Sequence, residues 1–355
     1  MSGTSLDGAD AALVDFSSTH PRTLGFATRP FPDSLREQLV ALSAPGADHL
    51  DLAGEASVRL ADLYAEVVAA VIECGAVNAS AVAAIGCHGQ TVRHRPERGF
   101  TIQLGDPARV AELTGIDVVA DFRRRDVAAG GQGAPLVPAF HEAVFRDPGS
   151  GRAVVNIGGI ANVTCIRPQG ATTGFDCGPG NVLLDAWARR HLGTAFDRDG
   201  AWAAQGRADE ALVERMLDEP FLGLAPPKST GRELFNDSWL AKRLPESVRP
   251  GDVQASLLEL TARSIVSALD EHFPEGREIY LCGGGARNAA LAGRIATLAA
   301  PRLVAPTDAL GVPSGQVESV AFAWLAMKGL RREPIDLRAV TGARHPCVLG
   351  AIYPA

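Results

Sequence analysis

The 355-residue sequence lacks several features that would place it in a functional class at once. Its formal net charge is −7, so it has no basic excess of the kind that nucleic-acid-binding proteins use to contact phosphates. No apolar run approaches the length of a membrane span, and the first residues lack the basic and then apolar pattern of a secretion signal. We therefore expect neither a nucleic acid nor a membrane as a partner.

The sequence also lacks paired cysteines. Its six cysteines are far apart, with no Cys-x-x-Cys pair and no paired histidine spacing: Cys74, Cys87, Cys165, Cys177, Cys282 and Cys347. This distribution argues against a disulfide framework and against a zinc site, and it favours reduced thiols in a cytoplasmic protein.

Several common catalytic motifs are missing as well. The P-loop pattern G-x-x-x-x-G-K-[ST] does not occur, because the Lys-Ser-Thr at 228–230 follows two prolines. The glycine run in LCGGGARN (281–288) does not have the order G-x-G-x-x-G, which leaves a dinucleotide site poorly supported. HEAVF at His141 is not H-E-x-x-H, and GTSLD is not G-x-S-x-G, so neither a metalloprotease nor an esterase is supported.

What the sequence does contain is an alternation of helical and strand patterns. Apolar residues recur at helical spacing over 60–71, and short apolar runs at 82–85, 118–120 and 279–282 read as buried strands. Each of these runs leads into a segment rich in glycine or polar residues. The alternation predicts an α/β architecture with mostly buried sheets.

Two glycine-containing segments suggest a duplicated plan. A strand at 11–16 follows the opening loop, and AVVNIGGIANVTCI (153–166) reads as strand, Gly-Gly turn and strand. One segment begins each half of the chain, which predicts two related domains with a phosphate clamp between them. The glycine- and proline-rich stretch 122–151 is the expected crossing point.

The opening segment SGTSLDG (2–8) has the composition of an anion-binding loop. Its glycines would let backbone N–H groups turn toward an anion, and its hydroxyls would add donors. Asp7 or Asp10 could hold Mg²⁺ through water. An exposed turn explains the same residues, and the sequence leaves both interpretations open.

Two further segments combine glycine with polar residues. Gly158 and Gly159 suit a tight hairpin, and their bare backbone could also contact a phosphate. In FDCGPGN (175–181), a helix starting near Pro179 would leave outward-facing N–H groups that favour anions. Asp176 could accept a proton from a water or hydroxyl, or it could simply cap that helix.

Polar residues follow two of the predicted strands. His88, Gln90 and Thr91 in GCHGQT offer hydrogen bonds suited to a sugar, and the arginines at 123–125 in DFRRRD could attract a carboxylate or phosphate. A buried structural histidine and an exposed charged turn explain them equally well.

Taken together, these motifs closely resemble the 1,6-anhydro-N-acetylmuramic acid kinase family. The resemblance rests on MSGTSLDG, IGCHGQT, DFRRRD, GGQGAPLVP, NIGGIAN, FDCGPGN, PKSTGRE, LCGGGARN and VTGARHPCVLGAIYP, in unbroken order along the chain. It implies the two-domain α/β fold of actin-like ATPases, sugar kinases and Hsp70, with a nucleotide cleft between the domains. The predicted N-terminal domain comprises 1–122 and 338–355, and the predicted C-terminal domain comprises 123–337.

The resemblance also implies a reaction. The family uses ATP to phosphorylate O6 of 1,6-anhydro-N-acetylmuramic acid while water opens the anhydro bridge, which yields N-acetylmuramate 6-phosphate during murein recycling in the cytoplasm. It further implies ATP and Mg²⁺ as cofactors, with the metal held through ATP and water, and a homodimer. Asp176 is then expected to be the base that activates water.

Other residues take roles from the same resemblance. The implied first phosphate loop comprises Gly3, Thr4, Ser5, Leu6, Asp7, Gly8, Ala9 and Asp10, and the second comprises Gly158 and Gly159. The residues expected near adenosine are Gly283, Gly284, Gly285 and Asn288. The residues expected to contact the sugar are His88, Gln90, Thr91 and Arg123.

One departure from the implied fold concerns the N-terminus. In this fold a buried strand leads into the first phosphate loop, but here only Met1 precedes Ser2. Losing a central strand would leave its neighbours with unpaired backbone groups. We therefore expect Met1 to be an internal methionine of a chain that begins several residues upstream.

Three other functions fit parts of the pattern. The chain could be a kinase of the same fold that acts on another sugar or a carboxylate, a non-catalytic ATP-dependent switch, or a sugar-binding module without nucleotide. The presence of Asp176 beside both implied phosphate loops argues against the switch.

Overall fold

Twelve strands and twelve α-helices are defined in the computed structural model, which describes residues 1–3, 6–18, 20–43 and 49–355. The strands are β1 (Gly8–Asp15), β2 (Arg22–Pro30), β3 (Ile85–Cys87), β4 (Gln90–Arg95), β5 (Phe100–Leu104), β6 (Val118–Ala120), β7 (Arg152–Ile157), β8 (Ile160–Ile166), β9 (Thr173–Pro179), β10 (Glu278–Cys282), β11 (Leu303–Pro306) and β12 (Ala351–Tyr353). The helices are α1 (Asp33–Ser43), α2 (Leu50–Cys74), α3 (Pro107–Thr114), α4 (Phe122–Ala128), α5 (Val137–Phe145), α6 (Val182–Leu192), α7 (Glu210–Leu217), α8 (Asp237–Ala241), α9 (Pro250–His272), α10 (Ala289–Ala299), α11 (Val317–Leu330) and α12 (Arg338–Thr341).

The chain packs into two units, each of which mixes helices and sheets. Unit 1 comprises Met1–Val144 and Glu318–Ala355, and unit 2 comprises Phe145–Val317. Phe122 of α4 and Phe322 of α11 both lie in unit 1, where their ring centroids are 5.5 Å apart. The α/β class expected from the sequence is present in both units. The assignment of independent domains to 1–122 with 338–355 and to 123–337 stays a prediction.

In unit 1, a long helix covers an antiparallel hairpin. β1 pairs with β2, and α2 packs on both strands. The apolar residues that recur at helical spacing over 60–71 are buried on one face of α2, as their periodicity predicts. β1 begins earlier than expected, so that the last residues of the predicted phosphate loop, 8–10, belong to the strand. A Cβ on Gly8 would lie 2.3 Å from the carbonyl oxygen of Arg29 across the hairpin, so the β1–β2 pairing requires glycine there.

A second sheet of unit 1 positions the polar segments that follow its strands. β3 and β6 are parallel, β12 is antiparallel to β6, and Cys87 lies opposite Ala120. The residues that follow these two strands, His88 and Asp121, therefore leave the sheet at the same edge. β4 and β5 form a separate hairpin directly after this edge.

Unit 2 is built on a five-stranded mixed sheet in the order β11-β10-β7-β8-β9. β7 is parallel to β10 and antiparallel to β8, and Asn156 near the end of β7 lies opposite Cys282 at the end of β10. The turns that follow β7 and β10 consequently lie at the same edge of the sheet. The long helix α9 is buried over most of its length and packs on β8, β9 and α10.

None of the helices in the described ranges combines the length and the apolar composition that crossing a membrane requires.

Candidate active site

Asp176 lies in β9 with its carboxylate held by a neighbouring segment of unit 2. Carboxylate oxygen Oδ2 accepts a hydrogen bond from the backbone N–H of Thr230 (2.9 Å) and another from the hydroxyl of Ser229 (3.1 Å). The backbone N–H of Asp176 donates to the carbonyl oxygen of Lys228 at 3.1 Å. Because α6 begins only at Val182, Asp176 is not the cap of that helix, and this alternative is excluded.

The surroundings of Asp176 raise its pKa to about 6, chiefly because burial disfavours the ionised carboxylate. The two hydrogen-bond donors and the charge of Lys228 act in the opposite direction, and the charge of Glu233 raises the pKa further. A carboxylate with this pKa is ionised at neutral pH and is a stronger base than an exposed aspartate, which suits proton abstraction from water.

The segment that holds Asp176 is itself anchored by Lys228. The side chain of Lys228 is buried, and its Nζ donates to the carbonyl oxygens of Leu222 (2.8 Å) and Phe221 (3.3 Å). The same Nζ lies 5.1 Å from the centroid of the Phe221 ring, where a cation is attracted to the aromatic face. In the sequence, 228–230 fails as a P-loop and belongs to the family motif PKSTGRE, but no local pattern indicates its contact with a residue about 50 positions earlier.

The glycine turn after β7 contacts the start of α6 through its carbonyl groups. The N–H groups of Gly180 and Val182 donate to the carbonyl oxygen of Gly159 (2.9 and 3.0 Å), and that of Asn181 donates to Gly158 (2.8 Å). The expectation that the helix start near Pro179 presents free N–H groups to an anion is therefore wrong for these three groups. They are already occupied by backbone carbonyls of the neighbouring turn.

The same turn leaves its own N–H groups available. Within the described chain, neither Gly158 nor Gly159 donates a backbone hydrogen bond. A Cβ built on Gly158 would meet its nearest atom at 3.5 Å, and one on Gly159 would meet its nearest atom at 3.9 Å. The packing of the protein does not require glycine at either position, so this turn has donors and room for a ligand to approach closely.

The glycine run after β10 lies beside this turn. A Cβ on Gly285 would lie 2.3 Å from Cγ2 of Ile157, and one on Gly283 would lie 2.3 Å from Oδ1 of Asn156. Gly283 also has φ near +81°, a conformation that favours glycine. Gly284 has open space beside it, because a Cβ built there would meet its nearest atom, Nδ2 of Asn181, at 3.7 Å.

We call Gly158, Gly159, Asn181 and Gly283–Gly285 the glycine cluster of unit 2. Asn181 lies beside both turns, since its Nδ2 donates to the carbonyl oxygen of Ile157 (3.2 Å) and a Cβ on Gly285 would lie 2.9 Å from its Oδ1. Asn288, also predicted near the nucleotide, caps α10 by accepting a hydrogen bond from the N–H of Leu291 at its Oδ1 (3.0 Å). The sequence indicated the glycines but not Asn181.

Unit 1 contains a pocket of about 380 Å³ at the edge where β3 and β6 end. Its lining includes His88, Phe100, Gln103, Asp121, Arg124 and Tyr353. The Arg124 guanidinium lies 3.1 Å from Asp121, and the buried Oε1 of Gln103 has no hydrogen-bond partner among the described residues. An aromatic surface and a charged pair make this pocket suited to a polar ligand.

Of the four residues predicted to contact the sugar, His88 and Arg123 are bound to each other. The Nε2 atom of His88 accepts from Nη2 and Nε of Arg123 (2.9 and 3.1 Å), and its Nδ1 lies 3.2 Å from the carbonyl oxygen of Ser2. Burial and the charge of Arg123 hold the pKa of His88 well below its usual range. His88 is therefore neutral and has partners for both ring nitrogens.

The other two, Gln90 and Thr91, are the first residues of β4 and pair with the end of β5. Gln90 is buried, and its Oε1 has no partner within the described ranges. Thr91 accepts a hydrogen bond from Nε2 of Gln103 at 3.2 Å. This contact links a predicted sugar residue to the pocket lining.

The predicted first phosphate loop is only partly described. Thr4 and Ser5 lie outside the described residues. Asp7 is exposed, whereas Asp10 pairs through its backbone with Met1 and accepts a hydrogen bond from the Thr28 hydroxyl (2.8 Å). Over the described ranges, no group of three or more His, Cys, Asp or Glu side chains is arranged to hold a metal ion.

Comparisons with known proteins point to one family. A family model described as "Anhydro-N-acetylmuramic acid kinase" matches residues 1–355. Curated proteins with that name are 55% identical in Bordetella petrii, 53% in Pseudomonas paraeruginosa and 49% in Chromobacterium violaceum. Each alignment covers 100% of this chain and 95–98% of the relative.

Similarity to solved structures is lower. A ROK hexokinase from Thermus thermophilus is 17% identical, with a TM-score of 0.37 and coverage of 90% of this chain and 99% of that one. Component A of (R)-2-hydroxyglutaryl-CoA dehydratase from Acidaminococcus fermentans is 12% identical, with a TM-score of 0.45 and coverage of 88% and 96%.

Proposed function

Because the chain belongs to the anhydro-N-acetylmuramic acid kinase family, we propose that Asp176 is the base of its reaction. The chain is an enzyme of this activity: it uses ATP to phosphorylate O6 of 1,6-anhydro-N-acetylmuramic acid during murein recycling. Because it belongs to this family, the chain has the two-domain α/β fold class of actin-like ATPases and sugar kinases. The alternatives of a different sugar kinase, a non-catalytic switch and a nucleotide-free module are set aside by the same match.

The chemistry of the substrate defines what the base must do. O6 is bonded to C1 and carries no proton, so a base has nothing to remove from it. Asp176 instead takes a proton from a water molecule whose oxygen forms the new bond to C1. The electron pair of the broken C1–O6 bond stays on O6, which bonds to the terminal phosphorus, and ADP leaves. The observation that carries this assignment is a carboxylate with one oxygen held by two donors and a pKa of about 6.

We assign nucleotide contacts to the glycine cluster. ATP supplies the transferred phosphoryl group when it is bound, and Mg²⁺ held through its phosphates and water neutralises their charge. The N–H groups of Gly158 and Gly159 and the open space beside Gly284 suit close approach by phosphate and ribose groups. The predicted contacts from Gly3–Asp10 and Asn288 stay proposals.

We assign sugar contacts to the unit 1 pocket together with His88, Gln90, Thr91 and Arg123. Phe100 offers an aromatic surface, and the side chain of Gln103 lines the same pocket and donates to Thr91. Arg124 is the side chain best suited to the lactyl carboxylate, because its fork can bind a second carboxylate beside Asp121.

We expect Arg124→Ala to raise KM for the anhydro sugar about 10-fold or more, the usual loss for a charge-assisted contact, while KM for ATP stays unchanged. 1,6-Anhydro-N-acetylglucosamine, which lacks the lactyl group, should show no such change. Arg125→Ala, an exposed neighbour outside the pocket, is the control. Equal losses with both sugars would remove Arg124 from carboxylate recognition.

The reaction itself is tested by ADP release with the anhydro sugar, Mg²⁺ and ATP, compared with simple hexoses. In water enriched in oxygen-18, we expect the label on C1 of freshly formed N-acetylmuramate 6-phosphate. Absence of the label on C1 would contradict attack by water there, and thereby the role given to Asp176.

Three further proposals come from the family resemblance: Mg²⁺ is the metal, the protein is cytoplasmic, and it forms a homodimer. Light scattering on the purified protein at micromolar concentration tests the last of these, since a monomer mass would contradict it.

A further inference from the structure

We propose that Ser229, together with the backbone N–H of Thr230, is a positioning group for Asp176 that dedicates one carboxylate oxygen to proton transfer. This inference rests on the proposed role of Asp176 as the base. It gives a role to the segment 228–230, to which the motifs of the sequence assigned none.

The geometry separates the two carboxylate oxygens. Both donors, the Ser229 hydroxyl at 3.1 Å and the Thr230 N–H at 2.9 Å, point to Oδ2. Within the described chain, Oδ1 of Asp176 accepts no hydrogen bond. Oδ1 is therefore the oxygen that is free to accept a proton, and rotation of the carboxylate would break both bonds to Oδ2.

The segment 228–230, which contains Ser229 and Thr230, is held from both sides. Its backbone is tied to β9 by the bond from the Asp176 N–H to the Lys228 carbonyl oxygen (3.1 Å). Its other anchor is the buried Lys228 ammonium group, which donates to the carbonyl oxygens of Phe221 and Leu222. Ser229 itself is exposed, so it contributes little to the core and is a suitable site for substitution.

The charged and titratable groups around Asp176 define the direction in which its pKa should change when Ser229 is substituted. Lys228 favours the ionised carboxylate and Glu233 disfavours it, while burial raises the pKa of the adjacent Cys177 thiol and keeps it neutral. The Ser229 hydroxyl lowers the pKa of Asp176 by donating to the ionised form. Removing this hydroxyl should therefore raise the pKa of Asp176 and shift the acid limb of the activity profile to higher pH.

The test compares Ser229→Ala with Ser229→Thr. For Ser229→Ala we expect kcat to fall about 10-fold, the loss of one hydrogen bond to a charged group, with KM for sugar and ATP nearly unchanged. The acid limb of the plot of kcat against pH should shift to higher pH. Ser229→Thr retains the hydroxyl and should restore both quantities. Ser238→Ala, an exposed serine of α8, is the matched control and should match the unmodified enzyme.

Two outcomes overturn the proposal. Either Ser229→Ala keeps kcat and the acid limb of the unmodified enzyme, or Ser229→Thr fails to recover them although it folds normally by circular dichroism. Asp176→Asn, measured alongside, separates the two levels of inference. If that variant is inactive while Ser229→Ala is unchanged, only the positioning role fails. If it retains normal turnover, the assignment of the base fails.

Discussion

We expect Asp176→Asn to lower kcat by ~10²–10⁴-fold, the range that follows loss of a general base, while the protein stays folded. The asparagine side chain has nearly the same shape, and its oxygen can still accept the hydrogen bonds from Ser229 and Thr230. It cannot accept a proton from water. Steady-state ADP release at saturating ATP and anhydro sugar measures the effect, and turnover within a few-fold of the unmodified enzyme would contradict it.

The same substitution should have a pH-dependent effect on stability. The folded pKa of about 6 lies above the ordinary value of 3.8, so the stability that this group contributes is present below pH 4 and is lost as the pH rises through 6. Asparagine has no charge to bury and escapes this loss. The melting temperature of Asp176→Asn relative to the unmodified protein should therefore be higher at pH 8 than at pH 4. Exposed Asp218→Asn, in the same unit, should show no such difference.

Gly285→Ala is expected to destabilise unit 2 by ~1–3 kcal/mol, the usual cost of inserting a methyl group into a packed site. The new Cβ would lie 2.3 Å from Cγ2 and 2.7 Å from Cβ of Ile157, a buried residue at the end of a central strand. Neither the strand nor the glycine turn can retreat without disturbing the other. Thermal unfolding followed by circular dichroism should show a melting temperature lower by several degrees.

Gly284→Ala should separate ligand binding from folding at the neighbouring position. Its Cβ would meet the nearest protein atom at 3.7 Å, so the melting temperature should not fall. If the open space receives the nucleotide, KM for ATP should rise about 10-fold or more, while KM for the anhydro sugar stays the same. Gly293→Ala, in the middle of α10 with open space around it, is the control and should bind ATP normally. Normal ATP kinetics in Gly284→Ala would place the nucleotide elsewhere.

The parts of the molecule that could be predicted from the sequence depend on short-range patterns. The periodicity over 60–71 predicts α2 because its residues lie one helical turn apart and share a face. The apolar run at 279–282 predicts β10, and the glycines after it mark a turn at the strand end. Asp176 could be singled out because glycines flank it closely in the chain.

Three features were decided only by the tertiary structure. The carbonyl oxygens of Gly158 and Gly159 occupy the N–H groups at the start of α6, about 20 residues further along the chain. β1 includes Gly8–Asp10, which the sequence presented as part of a loop, because β2 provides a pairing partner there. Ser229 and Thr230 reach a carboxylate more than 50 residues earlier.

The division has a physical cause. Helical and strand patterns arise from backbone geometry that repeats every two to four residues, so they can be recognised in short stretches of sequence. A hydrogen bond between distant segments depends on how buried surfaces pack, and many sequences of similar composition could satisfy it differently. The residue proposed as the base could therefore be named from the sequence, whereas the donors that contact its carboxylate were decided by the packing of the segment 228–230 on β9.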